Sequence, residues 1–330
     1  EMTHTKENPA AVYEQGYLPC TACAQYVAFG DCAPLGSATC PTCGTANVVP
    51  LCIRGFWLYT PLALGGMGAV YKACRVEHPG EFYAVKILPR QDRDNPTLVQ
   101  NMQREIEVNR EIGDHPCKVE VIDSGQDADE YFIASRYVSG EGLDARVLRT
   151  GGLPETEILL IALRLLALEA HVYDRGYLYR DLKLENIIIS PQHGAFLCDF
   201  GICLPIDEAV GMSDQDKLQG SPLYIPPERL LDEGEDVYSE IYSLGLVLYH
   251  AMMGKPFYEA DEVSTVARMH IEAPTAGDQE QKLAAIPEDM RNVLRKMIER
   301  NPADRYQSFV EVEAEAFTLL YRRLTAGRGA

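Results

Sequence analysis

The chain has 330 residues, 46% of them hydrophobic, and 49 acids against 30 bases give it a formal net charge of −19. That balance describes a globular protein with room for one large two-lobed domain plus a small module, and it disfavours phosphate backbones and anionic membranes as partners. No run of about 18 apolar residues occurs and Glu1-Met2-Thr3-His4 lacks the order of a signal peptide, so the cytoplasm is the expected compartment, a membrane anchor beyond Ala330 of a longer parent chain being left open.

Six of the ten cysteines fall before residue 53, and four of those form two pairs, Cys20-x-x-Cys23 and Cys40-x-x-Cys43, sixteen residues apart. Each pair can close a hairpin that offers two thiolates to one tetrahedral zinc ion; a redox dithiol or unrelated thiols are the competing readings. Pro19, Pro41 and Gly44 supply turn residues, with Gly44 placed where a knuckle needs a left-handed backbone. Tyr26-Val27 and Val48-Val49 supply short strands. A segment of about 30 residues cannot bury enough apolar surface to fold alone, so a metal worth about 10 kcal/mol or more is the natural staple. Cys32 and Cys52 have no pair partner. Residues 1–50 carry four acids and one base, Lys6, which points to a structural or protein-contact role rather than a nucleic-acid grip. The reading is an N-terminal tail over 1–17 and a zinc-ribbon or rubredoxin-like knuckle over 18–50.

A continuous domain without internal repeats follows over 55–325. Phe56-Trp57-Leu58-Tyr59 reads as a strand and leads into Leu62-Ala63-Leu64-Gly65-Gly66-Met67-Gly68-Ala69-Val70-Tyr71. Glycines in such a turn let backbone N–H groups approach phosphates, although by itself the pattern is no more than a hairpin. The alternating strand Phe82–Leu88 carries Lys86, suited to gripping the α- and β-phosphates of a nucleotide when an acid on the next helix orients it. That helix starts with Asn95 as N-cap and Pro96 in its first turn, and runs to about Ile112, stopped by Gly113. Glu105 and Glu107 both lie on it, about 200° apart around the axis, so only one can face Lys86. Strands around Val119–Ser124 and Tyr131–Tyr137 follow, then the connection Ser135-Arg136-Tyr137-Val138, and after Pro154 a long helix to Arg175.

Next come Tyr179-Arg180-Asp181-Leu182-Lys183-Leu184-Glu185-Asn186 and, eighteen positions after Asp181, Asp199-Phe200-Gly201. Asp181 can accept a proton from an attacking hydroxyl, Lys183 can neutralise a transferring phosphate, and Asn186 with Asp199 can hold metal ions. Asn186–Ile189 and Phe196–Cys198 read as the hairpin that places Asp199. The set fits phosphoryl transfer from a nucleotide.

With Gly220-Ser221-Pro222-Leu223-Tyr224-Ile225-Pro226-Pro227-Glu228, Ser239–Gly245 and Asn301–Tyr306, the pattern over 55–325 resembles the bacterial eukaryotic-like Ser/Thr protein kinases. The resemblance implies an α+β, two-lobed protein kinase fold, a small β-rich N-lobe over 55–138 and a large helical C-lobe over 139–325. It implies ATP and Mg2+ as cofactors, beside the Zn2+ of the knuckle. It also implies a protein substrate, because small-molecule kinases of this fold generally lack the Pro-Pro-Glu ending; Lys183 favours Ser/Thr specificity. Glu105, nineteen residues after Lys86, becomes its expected partner. Leu62, Gly65, Gly66, Gly68, Val70, Ala84, Ser135 and Tyr137 become nucleotide-contacting residues, with the small Ser135 as gatekeeper. Glu228 and Arg305 are expected to form a structural ion pair.

Three positions depart from the family pattern. Ala63 stands for the first glycine of the loop, Tyr179 for a histidine, and Glu240 for the aspartate that braces the catalytic loop. They leave a pseudokinase scaffold, a binding protein without phosphotransfer, as the alternative. Tyr179 can still pack beneath Phe200. Arg180, beside the base, is expected to meet an anion from the activation segment: a phosphate on Ser213, or a carboxylate of Asp207, Glu208, Asp214 or Asp216. Nucleotide and protein substrate are thus the expected partners, nucleic acid and membrane are not, and the oligomeric state is not legible.

Overall fold

The structure is a computed structural model and describes residues 9–65, 68–127, 130–210, 219–272 and 274–326. Gly66 and Ser213, both singled out above, lie outside the described residues. The chain divides into two compact units, one taking in residues up to Glu107 with Glu120–Tyr137, the other Val108–Val119 with Val138 onwards.

The first unit begins with α1 (Ala10–Glu14), followed by two tiny hairpins, β1 (Tyr17–Pro19) with β2 (Tyr26–Ala28) and β3 (Ser37–Thr39) with β4 (Ala46–Val48). Each of these strands buries only its middle residue, Leu18, Val27, Ala38 and Asn47, as a period of two requires of a strand with one covered face. Leu18, Val27 and Ala38 cluster with Cys20, Cys40 and Val49, and with Cys74, Trp57, Tyr59 and Phe82 of the neighbouring sheet. Residues 10–14, expected as part of a tail, join this cluster because Ala10 and Tyr13 share one helix face. The Tyr13 ring lies 5.9 Å from both Trp57 and Tyr59.

The sheet of this unit contains β5 (Leu51–Ile53), β6 (Phe56–Gly65), β7 (Gly68–Cys74) and β8 (Phe82–Ile87), then, after α2 (Pro96–Ile112), β9 (Val121–Asp127) and β10 (Glu130–Arg136). The strand order is β5-β6-β7-β8-β10-β9, all antiparallel. β5 falls in the gap left between the knuckle, read as 18–50, and the domain, read as 55–325. It pairs with β6 because Arg54 and Gly55, at φ 46° and 82°, make the two-residue turn whose twist suits a hairpin. Alternation along β8 sends Tyr83, Val85 and Ile87 into a core with Phe56, Leu58, Ala73 and Phe132, and turns Ala84 and Lys86 to the opposite face.

The second unit contains β11 (Glu141–Gly142), α3 (Leu143–Thr150), α4 (Glu155–Asp174), β12 (Tyr177–Leu178), β13 (Ile187–Ser190), β14 (Gly194–Leu197) and β15 (Leu204–Pro205). After it come α5 (Pro227–Leu231), α6 (Val237–Met253), α7 (Val263–Glu272), α8 (Ala276–Leu283), α9 (Glu288–Met297) and α10 (Phe309–Thr325). α6 is apolar on nearly every side and is therefore the interior helix, opened by a capping box between Asp236 and Ser239. α4 packs against it and against α10, and the chain leaves α4 into β12 and the loop 179–186. The β13–β14 hairpin, in register Ile187↔Leu197, then places Asp199.

Candidate active site and cysteine knuckle

In the first unit, Val70 lies opposite Lys86 across the β7–β8 ladder, and Ser135 lies opposite Ala84 across β8–β10. Directly paired residues share a face, so Val70, Ala84, Lys86 and Ser135 lie together on the face turned from the core. Gly68 is required here twice over. Its φ is 140°, and a Cβ would meet the Ile87 carbonyl at 3.0 Å and the Lys86 side chain at 3.4 Å. α2 is capped by Asn95, whose Oδ1 accepts the Thr97 N–H at 3.1 Å, and buries Met102 and Ile106 against Ile133, the cross-strand partner of Lys86. That packing brings Glu105 Oε2 to 2.7 Å from Lys86 Nζ, the carboxylate being 6% exposed. Glu107 is exposed. Leu62 and Gly65 lie exposed on β6, and Tyr137 donates its backbone N–H to the Phe82 carbonyl at 3.0 Å.

In the second unit the loop 179–186 is held by side chains from several elements. Tyr179 is buried, donates its hydroxyl to the Cys198 carbonyl at 2.6 Å, and meets the Phe200 ring edge-on at 5.2 Å. Arg180 and Asp199 adopt left-handed φ values of 69° and 63°, costly for side-chain-bearing residues and so held by their surroundings. Asp181 Oδ2 accepts both Lys183 Nζ and Asn186 Nδ2 at 2.8 Å. Burial pushes the Asp181 carboxyl above the usual carboxylate range, with Lys183 pulling it back. Asn186 Nδ2 also reaches the Asp181 carbonyl at 2.9 Å, and Asp199 Oδ1 accepts the Gly201 N–H at 3.2 Å. Glu240 Oε1 accepts the Arg180 N–H at 2.9 Å, so the longer side chain still reaches the loop. Glu228 and Arg305 make a buried two-bonded pair at 2.7 and 3.0 Å, which ties α5 to the segment before α10.

Arg180 meets a carboxylate that the sequence did not single out. Its Nε donates to Glu235 Oε1 at 2.9 Å with both side chains fully buried, whereas Asp207 and Glu208 are exposed. Ser213, Asp214 and Asp216 lie outside the described residues. Glu235 carried no signal in the sequence, because it is 55 positions from Arg180.

Glu169 was also passed over, though a glutamate after Leu165-Leu166-Ala167-Leu168 was a legible oddity. It is 2% exposed, its carboxyl oxygens have no hydrogen-bond partner among the described residues, and it lies near Glu240, whose other neighbours are Arg180, Arg229 and Glu235. Burial and mutual repulsion raise Glu169 well above the carboxylate range, and burial raises Glu240 to about 7. Raised pKa values of this kind stabilise the fold at low pH. The contribution is complete below the ordinary carboxylate pKa and is lost as pH rises through the folded values. Glu169→Gln, which keeps a neutral donor beside Glu240, is expected to flatten the fall in melting temperature between pH 5 and 8 and to gain about 3 °C at pH 8. Parallel curves for mutant and wild type in a pH series of thermal melts would rule out proton sharing.

The two Cys-x-x-Cys turns are built alike. The Cys20 and Cys40 N–H groups donate to Gln25 and Thr45, and the Ala24 and Gly44 N–H groups return to the Cys20 and Cys40 carbonyls at 2.9 Å. Ala24 and Gly44 share a left-handed backbone, φ 60° and 75°. The Cys20 and Cys43 sulfurs are 3.5 Å apart, those of Cys23 and Cys40 3.7 Å, and all four lie within 4.8 Å of one another. A tetrahedral zinc with bonds of about 2.3 Å spaces its sulfurs by about 3.8 Å, so the donor set fits that ion. Backbone N–H groups of Cys23 and Ala22 lower the Cys20 thiol to about 6, while Cys23, among the other thiols of the cluster, is raised to about 12.

Residues 59–317 match the protein kinase domain family. Among similar proteins, a probable serine/threonine-protein kinase of Clostridium perfringens is 29% identical over 75% of this chain and 36% of its own length. Serine/threonine-protein kinase PknD of Mycobacterium tuberculosis is 28% identical over 75% of this chain and 37% of its own. Serine/threonine-protein kinase PrkC of Bacillus subtilis is 27% identical over 77% and 39%. The chain thus spans under two fifths of the length of these relatives. No described helix is long and apolar enough to cross a membrane. With a matched segment that takes in Lys86, Asp181, Asn186 and Asp199, the chain belongs to the protein kinase family.

Proposed function

We propose that the chain transfers the γ-phosphoryl group of Mg·ATP to serine or threonine hydroxyls of a protein substrate. The observation that carries this reading is the Asp181 carboxylate held at 2.8 Å by both Lys183 and Asn186. Asp181 orients the acceptor hydroxyl and takes its proton, and Lys183 neutralises charge on the group in transfer. Asn186 and Asp199 would hold magnesium, which when bound neutralises the phosphate oxygens. Lys86, kept extended by Glu105, grips the α- and β-phosphates, with Gly65, Gly66 and Gly68 allowing close backbone approach. Leu62, Val70, Ala84, Ser135 and Tyr137 would line the adenine. Cys20, Cys23, Cys40 and Cys43 would hold one structural zinc ion. A pseudokinase reading gains little from Tyr179 and Glu240, since the first still seats Phe200 and the second still reaches the Arg180 N–H.

Initial-rate assays of radiolabel transfer from Mg·ATP to a mixed protein acceptor test the reading. Glu105→Gln is expected to lower kcat/KM by about tenfold or more, because a neutral partner no longer fixes Lys86, while Glu107→Gln stays near wild type. The reverse order would move the assignment two positions along α2.

A further inference from the structure

Arg180 and Arg229 are both buried, and one carboxylate lies between them. Glu235 Oε1 accepts Arg180 Nε at 2.9 Å and Glu235 Oε2 accepts Arg229 Nε at 2.7 Å, the Glu235 side chain having no exposure. Arg229 Nη1 also donates to the Arg180 carbonyl at 3.1 Å and to the Gln219 carbonyl at 3.2 Å. The Glu235 N–H donates to the Ala209 carbonyl at 3.2 Å, and Arg180 Nη1 reaches the Ile202 carbonyl at 3.4 Å. Glu235 and the two arginines that it bridges therefore join the catalytic loop at Arg180, the stretch after Asp199 at Ile202 and Ala209, the residue before the Pro-Pro-Glu ending at Gln219, and the turn leading into α6.

A phosphate on an activation segment works by the same physics. It adds about −1.5 to −2 of charge and acceptor oxygens that pair with an arginine beside the catalytic base and so order both segments. Here Arg180 is already paired with a carboxylate inside the protein, out of water, where an ion pair is costly to open.

Resting on the kinase reading above, we infer that Glu235, clamped by Arg229, takes the place of an activation-segment phosphate on Arg180, so that the catalytic loop is ordered without modification. Glu235 and Arg229 are positioning residues, acting on Asp181 through Arg180.

The test uses the full chain in two preparations, one dephosphorylated and confirmed phosphate-free by intact mass, the other preincubated with Mg·ATP. Initial rates of transfer to a generic protein acceptor are expected to agree within about threefold. A gain of more than about tenfold on preincubation would overturn the inference. Amide hydrogen exchange over residues 178–186, which needs no turnover, is expected to be equally slow in both. An exchange rate that falls on phosphorylation overturns the inference as well. Glu235→Gln is expected to lose about tenfold in kcat, with KM for ATP within about twofold, and to exchange faster over 178–186; Glu235→Asp regains part of both. Wild-type kcat and exchange in Glu235→Gln would sink it without any folding ambiguity. If the wild-type protein transfers no phosphate yet shows slow exchange that Glu235→Gln abolishes, the brace stands and the kinase reading falls.

Discussion

Asp181→Asn is expected to lower kcat by about 10²–10⁴-fold while leaving ATP affinity within a few-fold. The carboxylate is buried, its Oδ2 accepts Lys183 and Asn186, and the amide that replaces it offers an N–H where a proton acceptor is needed. The substitution preserves size, so the surrounding loop keeps its Tyr179 and Glu240 anchors. Nucleotide affinity is spared because the proposed base is not itself a nucleotide ligand, that role falling to Lys86, oriented by Glu105. Calorimetric titration with Mg·ATP alongside the transfer assay checks both halves of the expectation. A mutant with wild-type turnover would remove Asp181 from the chemistry and with it the assignment of the whole loop.

Removal of zinc is expected to have the largest structural effect. Purified protein should carry about one zinc ion per chain on four thiolates, an interaction worth about 10 kcal/mol to a module with so small a core of its own. The apolar face of the knuckle is shared with the sheet through Trp57, Tyr59 and Phe82, so its loss uncovers a patch of the first unit. Trp57 is the only tryptophan of the chain and touches Tyr13, which makes it a native reporter. Chelation, or Cys20→Ser, should shift Trp57 emission to the red and make residues 10–53 susceptible to protease. Elemental analysis without zinc, or metal loss with unchanged Trp57 emission, would refute the staple.

How much of this could be read in the chain depends on the range over which each interaction acts. The Cys-x-x-Cys turns, the glycine-rich hairpin, the cap at Asn95 and the Asp181-to-Asn186 spacing are local, set by neighbours a few positions apart, and each leaves a mark in the linear order. The alternation of β8 shows that Lys86 and Ala84 share a face. Choosing Glu105 over Glu107 needed either the family spacing or the packing of Met102 and Ile106 against Ile133. Other features arise where distant segments are pressed into one low-dielectric interior. Joining α1 to the knuckle required the aromatic face of β6, and making β5 an edge strand required a partner strand to receive it. The clearest case is Arg180. Its sequence neighbours argue for a cation that meets an anion of the activation segment, whereas folding brings Glu235, Arg229 and Glu240 into its surroundings from two helices and a turn. Buried charge must find its counter-charge within the fold, and which residues supply it is decided by tertiary packing rather than by any pattern along the chain.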